Sequence, residues 1–310
     1  MRQHLAMFVA LSLIGGVSLA GVRKESLPPP GPVEIAESAA LFVGVREFSE
    51  DETLTEVRYA VDDAVDLAHL LVFERPLVHA KRVVLALSGS PQKEESRRRL
   101  AALKAAGAIV RPARHPDIVR NLRHQAALVG ENGLFIAAFA THGINDGGTQ
   151  HLLTASSLLQ DPEMSVTETK VREIVSRQKV PRALILIDAC REQLTKDIRS
   201  GSASPRSSAA QLMEELGKIS GQAVLSAAVA GQYAYDHDGN GVFTAAVIDG
   251  LRCGAARDEK GFVTVYALSE YVEDRVLTWI QKNRDPEVRR ATQKSFEGRA
   301  SSMPLSACNP

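Results

Sequence analysis

The sequence holds few of the residues on which several common protein chemistries depend. Of 310 residues only three are cysteines, too few for a disulfide framework, and Cys190, Cys253 and Cys308 fit no zinc-ligand spacing. Aromatic residues make up 5%, with Trp279 the single tryptophan, which argues against a base-stacking surface or an aromatic membrane belt. Neither sign of charge is in excess. The 37 basic and 37 acidic side chains cancel, so no general attraction to nucleic acid or to an anionic membrane is expected. There is no HExxH, no P-loop and no G-x-S-x-G, which removes the zinc-protease, phosphate-cradle and serine-hydrolase readings. After the first apolar run, Val45-Arg46-Glu47-Phe48 lacks the glycine-rich turn of a doubly wound nucleotide-binding domain.

Long apolar runs are also missing. The run from Leu5 to Leu19 is shorter than the ~20 residues a helix needs to cross a bilayer. Arg2 precedes it and Ser18-Leu19-Ala20 follows it, so residues 1–20 read as a secretory signal peptide. An uncleaved membrane anchor is the alternative. Residues 21–38, with Pro28, Pro29, Pro30 and Pro32, read as an extended leader. A secreted or periplasmic chain with no stable membrane span after signal removal is expected. In an oxidising compartment Cys253 and Cys308 could pair.

What is present suits a folded enzyme-sized domain. Apolar residues make up 45%, ample for a core. From residue 39 apolar runs alternate with helical stretches. Strands are expected at 40–45, 82–87, 133–139, 182–187, 222–227 and 261–265. Helices are expected at 60–72, 94–106 and 117–129, from a Ser165/Glu168 capping box to about 179, at 242–253, and, after the last strand, to about 280. Leu184 to Ile187 are apolar without alternation, as in a parallel strand covered on both faces. The order predicts an α/β three-layer sandwich with a mostly parallel central sheet. Residues 39–280 form the domain. Residues 199–210 (RSGSASPRSSAA) read as a flexible linker inside it, and residues 281–310 as a weakly ordered tail.

In open parallel sheets the chemistry lies at the carboxyl ends of the strands. Two strand ends carry reactive groups: Thr141-His142-Gly143 and Asp188-Ala189-Cys190. A thiol near its ordinary pKa of ~8.5 needs a base or a nearby positive charge to attack at neutral pH, and an imidazole supplies it.

These segments resemble the caspase/metacaspase family of cysteine peptidases in its bacterial form. Phe139-Ala140-Thr141-His142-Gly143 is similar to the family's F-S-G-H-G, and Asp188-Ala189-Cys190 to its D-x-C. His142 and Cys190 are 48 positions apart, close to the caspase separation of ~50. Leu41 to Val45 resembles the first strand and Arg58 to Ala64 the N-D-A helix start; Val229 to Tyr235, then Asp238 to Phe243, resembles the loop lining the substrate cleft. Two departures stand out. Cys190 is followed by Arg191-Glu192 rather than His-Ser-Gly, and Ala140 replaces a serine.

The resemblance implies a cysteine endopeptidase acting on protein or peptide substrates. Cys190 is its nucleophile, His142 its base and then acid, and the backbone N–H groups of Gly143 and Cys190 its oxyanion donors. It implies no cofactor for the chemistry, with calcium dependence left open. For specificity it points to Asp63, Asp188, Tyr233, Tyr235 and Asp236 as substrate-binding residues. Three carboxylates there suit Arg or Lys at P1, while Arg58 would suit an acidic P1 instead. Self-cleavage after Arg199 or Arg206 is expected. Asp236-His237-Asp238-Gly239-Asn240-Gly241 also resembles the start of an EF-hand loop, although its twelfth position is Val247. A non-catalytic caspase-fold binding module is the alternative.

Overall fold

The computed structural model describes residues 31–146, 149–189, 192–193, 221–227, 236–237, 239–283, 292–296 and 300–308. The signal peptide, most of the leader, Cys190, the 199–210 linker, Tyr233 and Tyr235 lie outside the described residues, and of Asp236 only the backbone is described.

The strands, in chain order, are β1 (Ala39–Val45), β2 (Val83–Ser88), β3 (Ile109–Pro112), β4 (Phe135–Thr141), β5 (Gly143–Asp146), β6 (Thr149–Leu152), β7 (Val166–Thr167), β8 (Arg182–Ala189), β9 (Glu192–Gln193), β10 (Gly221–Ala227), β11 (Asp236–His237), β12 (Asn240–Gly241), β13 (Phe262–Thr264), β14 (Thr292–Phe296) and β15 (Pro304–Ala307). The helices are α1 (Ala60–His69), α2 (Glu94–Ala105), α3 (His115–Ala127), α4 (Glu168–Arg177), α5 (Val242–Asp249) and α6 (Val265–Asn283). The central sheet has seven strands in the order β14-β10-β8-β4-β1-β2-β3. All neighbours pair in parallel except β14, which runs antiparallel on β10.

Both faces of the sheet are covered, which is why its central strands β1, β4 and β8 are buried almost throughout and mostly apolar. Along β1, Ala40 and Phe42 enter one core, and Leu41, Val43 and Val45 the other. The first core is closed by α1, α5 and α6 with Leu103 of α2, the second by α3 and α4. This is the expected three-layer α/β sandwich. The alternation also aims the strand ends. In β8, Leu184 and Leu186 face α1 and α5, so Asp188, two residues on, faces that layer too. Gly44 lets α1 cross close to the end of β1, because a Cβ there would lie 2.6 Å from the Ala60 carbonyl oxygen.

Three expectations change. Residues 109–112 form β3, a short edge strand. The α4 N-cap is Thr167, whose hydroxyl accepts from the Lys170 N–H, while Ser165 Oγ lies 2.7 Å from His151 Nδ1. The cause is β7, which pairs with β6 and so keeps Val166 and Thr167 extended. Of the segment 281–310, expected to be weakly ordered, Thr292–Phe296 extends the main sheet and Pro304–Ala307 pairs with β13. Met303, Leu305 and Cys308 are buried in the first core, and a Cys253–Cys308 disulfide closes this end. Among the described residues no helix is long and apolar enough to cross a membrane.

Candidate active site

His142 stands one residue beyond the carboxyl end of β4. Its Nε2 lies 2.8 Å from the Thr55 carbonyl oxygen. A carbonyl can only accept, so Nε2 carries the proton, and in the neutral ring Nδ1 is then the basic nitrogen. Phe48 stacks on the imidazole at 5.3 Å between centroids with 25° between planes. Thr55 and Phe48 lie in the loop between β1 and α1. The orientation of the base is therefore set by a backbone carbonyl, which leaves no trace in sequence, and by an aromatic contact across 94 positions.

Strand pairing fixes what lies opposite this histidine. Thr141 of β4 pairs with Ala189 of β8. Beyond them, Ile144 of β5 pairs with Glu192 of β9. Both pairings are in parallel register with the same offset as that between His142 and Cys190. The described neighbours of position 190 thus run beside the described neighbours of His142 without a slip. Gly143, buried, opens β5 directly after the histidine.

Beneath these strand ends lies a cavity of roughly 10 Å³, room for about one water molecule. Ala140 and Asp188, partners in register, line it with Asp63, Phe243 and Thr244. Both carboxylates are buried. Asp63 Oδ1 accepts from Asn240 Nδ2 at 2.8 Å and from the Gly241 N–H at 3.0 Å. Asp188 Oδ2 accepts from the Thr244 hydroxyl at 2.7 Å and its N–H at 3.1 Å. Gly241 sits between the two acids. A Cβ there would collide with Asp188 Oδ2 and come within 3.2 Å of Asp63 Oδ2. Burial, and after it the negative charge of Asp188, push the Asp63 carboxyl well above the usual carboxylate range. Two buried carboxylates so close together raise the cost of holding both negative charges, which favours a cation or a proton beside Asp63.

The structure therefore brings Asp63 and Asp188 together and sets His142 at the neighbouring strand end. Arg58 is not with them: it is exposed and lies over the Tyr59 ring at 5.1 Å. The EF-hand-like segment is used otherwise than the sequence suggests, since Asn240 Oδ1 accepts from Lys93 Nζ at 2.6 Å. Thr244 and Lys93 are site-building residues that sequence reasoning did not single out, and Asn240 was noticed only as part of a cation-loop-like run. The signal for Asn240 and Gly241 was the D-x-D-G-N-G run itself.

Comparison with known proteins follows the same lines. A sequence model of the caspase domain (Peptidase_C14) matches residues 37–297. No curated protein matches. Among solved structures, caspase-1 from Spodoptera frugiperda is similar at 12% identity, covering 92% of this chain and 97% of that one with a TM-score of 0.52. The structure of pro-Sf-caspase-1 is similar at 11% identity, covering 94% of each chain with a TM-score of 0.51. A protein from Geobacter sulfurreducens is similar at 13% identity, covering 88% of this chain and all of that one with a TM-score of 0.53. At such identities the likeness to these structures is one of fold.

Proposed function

The chain belongs to the caspase-domain family, and from that premise we propose that it is a cysteine endopeptidase that cleaves after Arg or Lys. The observation that carries the reading is the strand-end geometry. His142 has its Nε2–H directed to the Thr55 carbonyl, and the pairings on both sides of position 190 keep one register with those on both sides of 142.

In this mechanism Nδ1 of His142 takes the thiol proton of Cys190. The thiolate attacks the scissile carbonyl, and the Gly143 and Cys190 N–H groups hold the oxyanion. Collapse breaks the C–N bond, and His142 returns the proton to the departing amine. Water, deprotonated by the same nitrogen, then hydrolyses the thioester. The Thr55 carbonyl holds the ring in the useful tautomer and stabilises the imidazolium formed along the way.

Asp63 and Asp188 are the receptors for the cationic P1 side chain. The cavity they line is water-sized, so admission of a guanidinium or ammonium requires Gly241 and the first turn of α5 to yield. Tyr233, Tyr235 and Asp236 are assigned to the cleft by the resemblance of their loop. The Cys253–Cys308 disulfide supports an exported chain, with its mature start near Gly21. Arg199 and Arg206 are the sites at which such a P1 preference allows self-cleavage.

The test is turnover of an Arg-P1 peptide by the mature protein. Cys190→Ala and His142→Ala are each expected to lower kcat/KM on the order of 10⁴-fold or more while folding normally. Near-normal turnover by purified Cys190→Ala protein would sink the mechanism. Intact-mass spectrometry of the same samples reads self-cleavage, which should be absent from Cys190→Ala.

A further inference from the structure

The Gly239–Gly241 stretch ahead of α5 is held by a lysine from a distant part of the chain. Lys93, just before α2, donates from Nζ to Asn240 Oδ1 at 2.6 Å and to Asp66 Oδ2 at 2.6 Å. Asn240 in turn donates from Nδ2 to Asp63 Oδ1 at 2.8 Å and to Asp66 Oδ2 at 3.2 Å. The lysine stem passes under Gly239, where φ is +88° and a Cβ would lie 2.6 Å from the Lys93 Cδ. The left-handed backbone favours glycine at 239, and the missing Cβ leaves room for the lysine stem. The Gly241 N–H, next along, closes on Asp63.

We propose that Lys93 is a positioning residue for P1 recognition: its ammonium clamps Asn240 against Asp66, so that Asn240 and Gly241 hold the Asp63 carboxylate aimed into the cavity. The proposal rests on the reading of Asp63 as a P1 receptor. The geometry explains why the turn resembles a cation-binding loop in sequence. Its asparagine oxygen is directed at a lysine of the same chain, and an ammonium supplies the ordering that a metal supplies to an EF-hand loop. Because Nζ has a strong partner in Asp66 and does not touch Asp63, Lys93 steadies the receptor without occupying it.

The test uses Lys93→Met and Lys93→Arg in the full mature protein. The Gln92 and Lys93 backbone N–H groups stay bonded to Asp62 in both variants, so the loop keeps its anchor. Hydrogen exchange resolved at the Gly241 amide reads the clamp directly and needs no peptidase activity. We expect at least tenfold faster exchange in Lys93→Met, with partial recovery in Lys93→Arg. Kinetics on matched peptides with Arg or its neutral isostere citrulline at P1 read the consequence. KM for the Arg peptide should rise about tenfold in Lys93→Met relative to the citrulline peptide, kcat should stay within twofold, and Lys93→Arg should recover part of the loss. Unchanged Gly241 exchange would overturn the clamp. Faster exchange in Lys93→Met, found alongside a wild type that shows no Arg preference, would uphold the clamp and refute the P1 reading. Faster exchange with an unchanged KM ratio in an Arg-preferring enzyme would overturn the role in recognition. A parallel loss of kcat on both peptides, with no change in their KM ratio, would overturn it as well.

Discussion

Asp63 and Asp66 lie three residues apart on α1, both buried, and burial alone raises both carboxyls. Their neighbours then send them in opposite directions. Around Asp66, the Lys93 ammonium, the Ser96 hydroxyl and the Arg99 guanidinium outweigh burial and hold the carboxyl below the usual range. Around Asp63, an amide and a backbone N–H are the hydrogen-bond donors, the facing charge of Asp188 adds to burial, and the carboxyl is pushed up. The chain has placed two cations beside one acid and a second acid beside the other. Asp66 is a structural anion with its charge matched within the fold. Asp63 feels the Lys93 charge only as the last of its influences, behind burial and the facing Asp188, the setting that the proposed receptor for a cationic side chain would use.

The comparison can be broken at its support. The disulfide straps the far end of the α5 segment, whose first residues grip both cavity acids. Its loop of 55 residues stabilises the chain by about 4 kcal/mol in the chain-entropy model. Cys253→Ser with Cys308→Ser should lower stability by about that amount in denaturant titrations, and by the same amount in an Asp63→Asn background. Turnover at temperatures well below melting should be largely retained.

Removing the matched acid is expected to cost somewhat less. Asp66→Ala leaves Lys93 and Arg99 without their shared carboxylate, and breaking such a buried arrangement costs on the order of 3 kcal/mol. Calorimetry should show this as a fall in Tm. A stability unchanged to within about half a kcal/mol would remove the contrast between the two acids.

Replacing the unmatched acid should act the other way. Asp63→Asn keeps an oxygen to accept from Asn240 and Gly241 while removing a disfavoured charge, so Tm at neutral pH should rise. At the same time KM for an Arg-P1 peptide should rise about 10- to 100-fold, the equivalent of ~1–3 kcal/mol for a lost charge-assisted contact. Asp188→Asn should weaken the Arg peptide in the same sense. The pH dependence follows from the direction of the shift. Because the folded Asp63 carboxyl holds its proton to higher pH than the unfolded one, stability falls as pH rises from the ordinary carboxylate range through the raised value. Binding of a cationic P1 group expels that proton, so KM should fall as pH rises through the same window. Both slopes should flatten in Asp63→Asn.

Much of this was legible in the chain because it depends on local pattern. The apolar runs at 40–45, 133–139 and 182–187 report strands buried on both faces, and a parallel sheet puts His142 and Asp188 at the carboxyl ends of neighbouring strands. Asp63 was singled out by the resemblance of Arg58 to Ala64 to a family helix start, and the fold sets it beside Asp188. What escaped depends on distant partners or on the backbone. The Thr55 carbonyl that orients His142 carries no residue signature. Lys93 and Asn240 meet across 147 positions. Ile109–Pro112 is a short, largely exposed edge strand that ends in proline, so neither alternation nor burial marks it. Pro304–Ala307 looked weak for a related reason: its run of buried residues beginning at a proline makes sense only once β13 and Cys253 are in place.

The central claim is that a nucleophile at position 190 works beside a receptor for positive charge. Competitive labelling of the mature protein with two peptidyl chloromethylketones, differing only in Arg or Asp at P1, tests both halves at once. Intact-mass and peptide mapping should show one adduct, on Cys190, formed far faster from the Arg probe and absent from Cys190→Ala. Faster labelling by the Asp probe, or equal labelling of Cys190→Ala, would contradict the account.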